Sequence, residues 1–165
     1  MAIELETERL HLRQWRESDV EPLLAYHRDP VCESLFGDGF TREDIWRRIA
    51  LFSGHFNLRG YGLWALEEKH SQSFAGYAGL YYPDGWGDIE VGYGIAPQHR
   101  RKGFAIEAAT RARDYGYEIG CKRLVSYILP TNEASQRVVQ RLQAKPDGAF
   151  MLHEVPHITY LHQKP

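Results

Sequence analysis

The sequence has little cysteine, no long apolar run and no excess of one sign of charge. Its two cysteines, Cys32 and Cys121, stand far apart and without metal-ligand spacing. They therefore predict a reduced, cytoplasmic setting and no metal site. No segment approaches the roughly 20 apolar residues that cross a bilayer, and the start of the chain lacks the basic and apolar regions of a signal peptide. These absences argue against a membrane partner.

The net charge of −2 also argues against a nucleic-acid partner, because proteins that bind nucleic acid usually carry a broad basic surface. What the chain does have is an ordinary globular composition, 43% hydrophobic and 25% charged. Its 165 residues are enough to bury a core without metal or disulfide. No repeat, low-complexity tract or linker divides the chain, so we predict a single domain over residues 1–165.

Hydrophobic periodicity predicts a mixture of strands and helices. A strand covers residues 10–14, and a helix covers residues 17–28 until Asp29-Pro30 stops it. Thr41 and Asp44 form a capping box that starts a helix running toward residue 58. Further strands are predicted at 61–67, 74–82, 88–95 and 123–129, helices at 104–119 and 132–142, and a closing pair of short strands at 150–152 and 157–162. This order predicts an α/β (α+β) fold with a mixed sheet and helices on both faces.

The most informative segment, residues 89–107, reads as a strand, a basic loop and the start of a helix. Gly103 can adopt backbone conformations closed to other residues and lets a ligand approach the main chain. Ala105 keeps the entry to the helix narrow, and the amides of the first turn lack intrahelical partners. Arg100, Arg101 and Lys102 add positive charge. The segment predicts a phosphate-binding loop, and a plain helix start with solvated basic residues explains it equally well.

Four motifs resemble the Gcn5-related N-acetyltransferase (GNAT) family. Arg100-x-x-Gly103-x-Ala105, followed by Glu107, is similar to the acetyl-CoA signature of that family. Residues 7–13, 90–97 and 132–138 resemble, in the right order, the branch that contains the ribosomal-protein N-terminal acetyltransferases. The resemblance implies a mostly antiparallel GNAT-like sheet with acetyl-CoA as co-substrate. The residues that it implies in binding acetyl-CoA are Ile95, Arg100, Arg101, Lys102, Gly103, Phe104, Ala105, Asn132 and Ser135.

Acetyl transfer from a thioester to an amine requires an amine that has lost its proton. At pH 7 roughly one α-amine in ten is neutral, against about one lysine in a few thousand, so a general base matters. Glu90 is our candidate, acting through water. Strand alternation puts Glu90 and Gly92 on the face opposite Val91 and Tyr93, and the resemblance implies that this glutamate faces the thioester. A glutamate on the wet face of a strand is the alternative; Tyr93 and His99 are weaker candidates for the base.

The transfer also requires stabilisation of the carbonyl oxygen and of the departing thiolate. Gly92 and Gly94 predict a bulge or a close backbone approach, where a backbone N–H would stabilise the oxygen. The resemblance implies that Ser135 reaches the sulfur and that Asn132 binds the pantetheine arm. Alternatively, Asn132 only caps the helix and Ser135 only occupies its first turn.

Many relatives carry a tyrosine in the helix that follows Asn132. Here this helix has none, so a tyrosine general acid is in doubt. The Gly-Phe that often ends it is replaced by residues 143–146, which leaves the placement of the last hairpin open.

The acceptor is not identified by the sequence. Most aromatic residues are predicted to be core, with Tyr82 and Trp86 at a turn as the best candidates for exposure. We interpret Glu33 and Asp38 as solvated loop residues rather than as attractors of a cationic amine. The resemblance implies a protein N-terminus or a small amine as acceptor. Direct transfer in a ternary complex is expected, because no cysteine lies in the four motifs.

Two other functions fit parts of the pattern. A non-catalytic CoA-binding sensor or interaction module would keep the loop without needing Glu90 or Ser135. A protein that binds ATP or NAD is disfavoured, because the Walker ending Gly-Lys-Ser/Thr and the Rossmann Gly-x-Gly-x-x-Gly are missing. A homodimer is compatible with the sequence, which contains no feature that tests it.

Overall fold

The computed structural model describes residues 3–165, and in this part of the chain eight strands form one sheet in the order β1-β2-β3-β4-β5-β6-β8-β7. Neighbouring strands are antiparallel except β5 and β6, which are parallel. The predicted mixed, mostly antiparallel sheet is thereby confirmed. The strands are β1 (Leu5–Glu6), β2 (Leu10–Arg13), β3 (Leu63–Glu68), β4 (Phe74–Tyr81), β5 (Ile89–Ile95), β6 (Leu124–Ile128), β7 (Lys145–Leu152) and β8 (Val155–Leu161).

Five α-helices accompany the sheet, and local sequence signals explain where they begin and end. Thr41 caps α3 and forms the predicted capping box with Asp44. Gly60 ends the same helix in the left-handed conformation that glycine adopts without strain. The helices are α1 (Val20–His27), α2 (Pro30–Phe36), α3 (Arg42–Arg59), α4 (Phe104–Glu118) and α5 (Glu133–Arg141).

The sequence pattern did not predict α2, because Asp29-Pro30 is also a signal that stops a helix. In the structure this dipeptide also starts a helix. The Asp29 carboxylate accepts a hydrogen bond from the Val31 amide at 3.2 Å, and Pro30 occupies the first helical position. Proline fits there because that position has no intrahelical acceptor for an N–H. β7 likewise begins at Lys145, earlier than the predicted residue 150, with an irregular register between Pro146 and Ala149.

Two apolar layers cover the two faces of the sheet. On one face, α4 packs its small residues Ala108, Ala109 and Ala112 against the sheet, and all three are fully buried. The side chains of the sheet that they face include Trp64 and Leu80. The alanines bring the helix close to the strands, as their spacing predicts. The other face is covered by α1 to α3, and its buried side chains are Trp15, Val20, Leu23, Leu24, Tyr26, Cys32, Ile45, Ile49, Phe52, Leu63, Ala65, Phe74 and Ala96. Helices on both faces were predicted, and the structure confirms them.

The helices and the polar side chains were also compared with the requirements of a membrane span and of a metal site. Within residues 3–165 no helix combines the length and the apolar composition that crossing a membrane demands. Nor do His, Cys, Asp and Glu side chains of the same residues gather in groups of three or more that would hold a metal ion.

Candidate active site

The centre of the sheet contains a notch where β5 and β6 separate. Their parallel pairing covers only Ile89 with Leu124 and Glu90 with Val125. Beyond that point the Ser126 hydroxyl donates a hydrogen bond to the Val91 carbonyl at 2.7 Å, in place of a strand-to-strand bond. A cavity of about 540 Å³ opens here, and both strands, the β7–β8 hairpin, α2, α3 and the start of α5 line it.

Strand alternation identifies which backbone groups of β5 face the notch. The Ala96 amide donates to the carbonyl of Ala75, which belongs to β4. The Val91 carbonyl instead accepts a hydrogen bond on the β6 side. Backbone polar groups alternate in direction along a strand, so Tyr93 presents its N–H on the same side as Val91, where β6 has already diverged. This amide is a free donor at the notch that the residue types alone did not identify.

The two glycines of β5 have different surroundings. A Cβ at Gly94 would lie 2.4 Å from the Tyr26 hydroxyl oxygen and 2.7 Å from a ring carbon of Tyr77, whereas one at Gly92 would meet only Leu63 at 3.4 Å. The pairing of β4 with β5 runs without a register shift. Of the two predicted alternatives, the close approach therefore applies to Gly94, and the bulge is absent from this pairing.

Glu90 lies where β5 and β6 stop pairing, and its carboxylate lines the cavity. The Trp86 indole N–H donates to its Oε2 at 2.8 Å. Burial raises the pKa of Glu90 from 4.5 to about 7, although the Trp86 hydrogen bond and the Tyr127 amide favour the ionised form. As predicted, Val91 and Tyr93 pack toward the α4 layer, which leaves Glu90 on the opposite side of the strand.

The start of α5 forms the far wall of the notch. The Asn132 side chain caps the helix by accepting from the Ser135 amide at 3.1 Å. The Tyr93 hydroxyl donates to the Ser135 carbonyl at 3.1 Å, and burial raises the pKa of this phenol. The chain thus lacks a tyrosine in α5 but brings one from β5 to the same place. Asn132, Ser135, Tyr93 and Glu90 all line one cavity.

The predicted phosphate loop follows β5 directly. Gly103 immediately precedes α4 with φ of +85°, and Arg101 also has positive φ, +61°. Within residues 3–165, the backbone amides from 101 to 106 have no hydrogen-bond acceptor from the protein. Six consecutive donors at the positive end of a fifteen-residue helix form a site that suits a diphosphate. These groups fit the acetyl-CoA that the motif implies.

The basic side chains of the loop serve different purposes. The Arg100 guanidinium pairs with Asp29 at 2.7 Å and donates to the Ile95 carbonyl at 3.3 Å, so it ties the loop to α2. It is not the free phosphate-binding charge that we expected at this position. Arg101 is exposed, and Lys102 is 46% exposed with its ammonium 3.8 Å from Glu68. Free charge at the loop therefore comes mainly from Arg101 and Lys102.

The other predicted loop residues contribute through backbone or packing. The Phe104 side chain is 2% exposed and stacks on His99, with ring centroids 5.9 Å apart. Only its backbone is available to a ligand. Ala105 lies in the first turn of α4, and Ile95 is the last residue of β5, at the junction of notch and loop.

Arg9 braces the loop, a role that the sequence analysis did not assign to it. It donates to the Lys102 carbonyl at 2.8 Å, and its guanidinium lies 4.8 Å from the centroid of the Phe104 ring. Glu107 holds Arg9 through a 2.6 Å ion pair and also accepts from the Thr7 hydroxyl at 2.6 Å. Thr7 and Arg9 belong to the N-terminal motif, so two motifs that are 100 residues apart form one support.

Aromatic and apolar side chains line a large part of the cavity. Trp86 and Tyr81 are 5.4 Å apart between ring centroids, in a T-shaped arrangement. The hairpin adds Leu152 and His153 to the wall, so its placement, left open by the sequence, is at this cavity. Of the predicted exposed aromatics, Trp86 lines the cavity; Tyr82, which lies under Arg59, does not line it.

Sheet, notch and phosphate loop together define an acyltransferase of the GNAT type. The family model for the acetyltransferase (GNAT) domain matches residues 9–145. The chain belongs to this family, which confirms the resemblance seen in the motifs.

Individual relatives support the assignment. The uncharacterized N-acetyltransferase YoaA of Bacillus subtilis is 27% identical over 150 residues, covering 88% of this chain and 85% of YoaA. An acetyltransferase structure from Agrobacterium tumefaciens superposes with a TM-score of 0.88 at 24% identity, covering 99% and 96% of the two chains. The ribosomal-protein-S5-alanine acetyltransferase of Vibrio fischeri has a TM-score of 0.74 at 16% identity, covering 96% and 95%. The last two show a shared fold.

Proposed function

We propose that this protein transfers an acetyl group from acetyl-CoA to a primary amine, directly and within a ternary complex. The observation that carries the proposal is the position of Glu90. A carboxylate whose pKa is about 7 lines the cavity at the point where β5 becomes free of β6. The open edge of that strand leads within a few residues to six free amides at the helix start. A base and a phosphate site are thus joined by one strand.

The co-substrate side is held by the loop and by β5. The amides of 101–106 bind the diphosphate, with Arg101 and Lys102 at its rim. Ile95 and the free edge of β5 guide the pantetheine arm toward the notch, and Asn132 meets it from α5. Bound there, acetyl-CoA supplies the thioester. The Tyr93 amide faces the point where the strands diverge and donates to the carbonyl oxygen as negative charge develops on it.

Glu90 acts on the amine. A base is most effective when its pKa lies near the working pH, because it is then partly ionised and still basic enough to take a proton. Glu90 meets this condition through burial. It removes a proton from the amine, directly or through water in the cavity. The Trp86 indole N–H donates to Oε2 and fixes the orientation of the carboxylate at its turn.

The thiolate leaves at the α5 side of the notch. Ser135 lies in the first turn of α5 and lines the cavity, where its hydroxyl donates to the sulfur directly or through water. Tyr93 positions this turn by donating to the Ser135 carbonyl. No cysteine lines the cavity within the described residues, which supports direct transfer over a cysteine-bound intermediate.

Thiol release from acetyl-CoA, measured with a panel of amines, tests the proposal. The panel contains peptides with varied N-termini, polyamines, amino acids and aminoglycosides. We expect turnover with at least one class and a large loss in Glu90→Gln. Tight CoA binding without turnover on any amine would instead favour the sensor or interaction module. Thermal shifts with CoA, ATP and NAD identify the ligand, since stabilisation grows as RT ln(1 + [L]/Kd).

A further inference from the structure

The part of the cavity that aromatic side chains line also contains a guanidinium without a carboxylate partner among the described residues. Arg48 on α3 lines the cavity and is only partly exposed. No Asp or Glu oxygen of residues 3–165 lies within 4.0 Å of it, in contrast to the neighbouring Arg47, which pairs with Glu43 and Asp44.

The immediate neighbours of Arg48 leave its charge uncompensated. Its Nη1 lies 3.2 Å from His27 Nε2, and its guanidinium is 5.1 Å from the centroid of the Phe40 ring. Burial, and secondly Arg48 itself, lower the pKa of His27 from 6.5 to about 4, so that the imidazole is neutral at pH 7. Phe40 and His27 hold the guanidinium in place but do not neutralise it.

Of the described residues that line this cavity, only Glu90 carries a carboxylate. The other charged or titratable lining side chains that are not phenols are Arg48, His153 and His157. Glu33, which lies within α2, and Asp38, which follows this helix, do not line the cavity. A polycation would therefore meet one carboxylate of pKa about 7 and an unpaired guanidinium, which is an unfavourable environment.

The two charged groups lie at opposite ends of an aromatic floor. Tyr81 pairs with Glu90 across β4 and β5, and its ring stacks on His55 of α3 with centroids 5.3 Å apart. Arg48 precedes His55 by seven residues, which is about 10 Å along a helix. Between them, the Phe52 ring lies 6.2 Å from that of Tyr77 and 5.9 Å from that of Tyr81.

The pKa shifts of Tyr77 and Tyr81 agree with the placement of both charges near these rings. Burial is the main cause that raises the pKa of each phenol, Arg48 opposes this increase, and Glu90 adds to it. Each ring therefore lies within electrostatic range of the guanidinium at one end and of the carboxylate at the other.

We infer that the acceptor is an amphoteric molecule, in which a primary amine at Glu90 is joined by an apolar spacer to an anionic group bound by Arg48. The inference rests on the proposed function and specifies its substrate class. The amine occupies the notch, the spacer lies on the rings of Phe52, Tyr77 and Tyr81, and a carboxylate or phosphate pairs with the guanidinium. The anionic group belongs either to a free small molecule or to a peptide with an acidic residue near its N-terminus.

Three matched amines test this assignment: 4-(aminomethyl)benzoate, 4-(aminomethyl)benzamide and 1,4-bis(aminomethyl)benzene. They share a ring and a reacting amine and differ in the charge at the far end. We expect kcat/KM for the carboxylate to exceed that for the amide by roughly 10- to 100-fold, the value of a hydrogen-bonded charge. The diamine should be the poorest of the three.

Variants at α3 connect this preference to one side chain. Arg48→Gln should remove the advantage of the carboxylate over the amide, and a melting temperature and a CoA affinity equal to those of the wild type show that the variant folds. Arg48→Glu should favour the diamine. Arg47→Gln, one residue away and outside the cavity, is the matched control and should behave as the wild type.

Tripeptides with glutamate or glutamine at the second position distinguish the two sources of the anionic group, a free small molecule and a peptide with an acidic residue near its N-terminus. A preference for glutamate that Arg48→Gln abolishes assigns the anion to a peptide N-terminus, whereas a preference seen only among the small amines assigns it to a free molecule. Equal kcat/KM for carboxylate and amide in the wild type would overturn the inference alone. Absence of turnover with every amine, this set and the broad panel included, would overturn the proposed function and the inference with it.

Discussion

Replacement of Glu90 by glutamine should separate catalysis from stability. Burial raises the pKa of Glu90 from 4.5 to about 7. At about 1.4 kcal/mol for each pKa unit, ionisation of Glu90 costs the folded protein on the order of 3 kcal/mol above pH 7. Glutamine has nearly the same shape, carries no charge and can still accept from the Trp86 indole. Glu90→Gln should therefore be less active and, at high pH, more stable than the wild type.

The size of the stability effect depends on pH. The folded-state pKa of Glu90 exceeds its unfolded value, so the ionisation penalty is absent below about pH 4.5 and complete above about pH 7. Urea unfolding at pH 8 should show Glu90→Gln to be more stable by about 2 to 3 kcal/mol, and at pH 4.5 the difference should nearly vanish. Asp38→Asn removes an exposed carboxylate outside the cavity and should show neither effect.

The expected effect on activity follows from the proposed role of Glu90 as a base. Loss of a general base usually lowers turnover by about 10²- to 10⁴-fold. In the wild type kcat/KM should fall as pH decreases through about 7, and in Glu90→Gln this inflection should disappear while CoA affinity stays the same. Persistence of the inflection in the variant would show that another group is the base. A variant that is less stable than the wild type at pH 8 would refute the argument about burial.

Three further predictions concern binding and stability. Gly103→Val should weaken CoA binding measured by calorimetry, with a loss of about 1 to 2 kcal/mol in stability because φ there is +85°; unchanged affinity would remove the loop from the mechanism. Gly76→Ala should cost more than about 3 kcal/mol of unfolding free energy, since its Cβ would lie 2.0 Å from the Gly94 carbonyl oxygen; a near-neutral result would contradict the described strand spacing. Burial lowers the pKa values of His27 and His162 from 6.5 to about 4, so each histidine reduces stability as pH falls from about 7 toward 4, opposite in sign to Glu90. His162→Gln should reduce this acid sensitivity in urea titrations by about 2 to 3 kcal/mol, and an unaltered pH dependence would argue against a neutral buried His162.

Local sequence patterns predicted much of the fold because the relevant signals lie within a few residues of each other. The capping box of Thr41 and Asp44 and the alanine face of α4 each depend on spacing along one helix, and both occur as expected. Asp29-Pro30 shows the limit of such signals. The same dipeptide ends one helix and starts the next, and only the packing of the following segment, with Cys32 in the core, determines that a helix forms.

In the candidate site, too, local patterns predicted some features, whereas others depend on tertiary contacts. Strand parity alone predicted that Glu90 and Val91 lie on opposite faces, because side-chain direction alternates along any strand. The sequence could not predict the pKa of Glu90, since this depends on Trp86 and on how far β6 diverges. Nor could it predict that Arg100 pairs with Asp29, or that Arg9 supports the loop through Lys102, because these partners are far apart along the chain.

The sequence by itself determined the family, the order of most elements and the position of the candidate phosphate loop, because each is encoded by short-range patterns of glycine, charge and hydrophobic spacing. Only the tertiary structure decided what surrounds each charge. Burial raises the pKa of Glu90 to about 7, Asp29 pairs with Arg100, and Arg48 has no carboxylate partner among the described residues. Electrostatic energies depend on distance and solvent access in three dimensions, which no local pattern specifies.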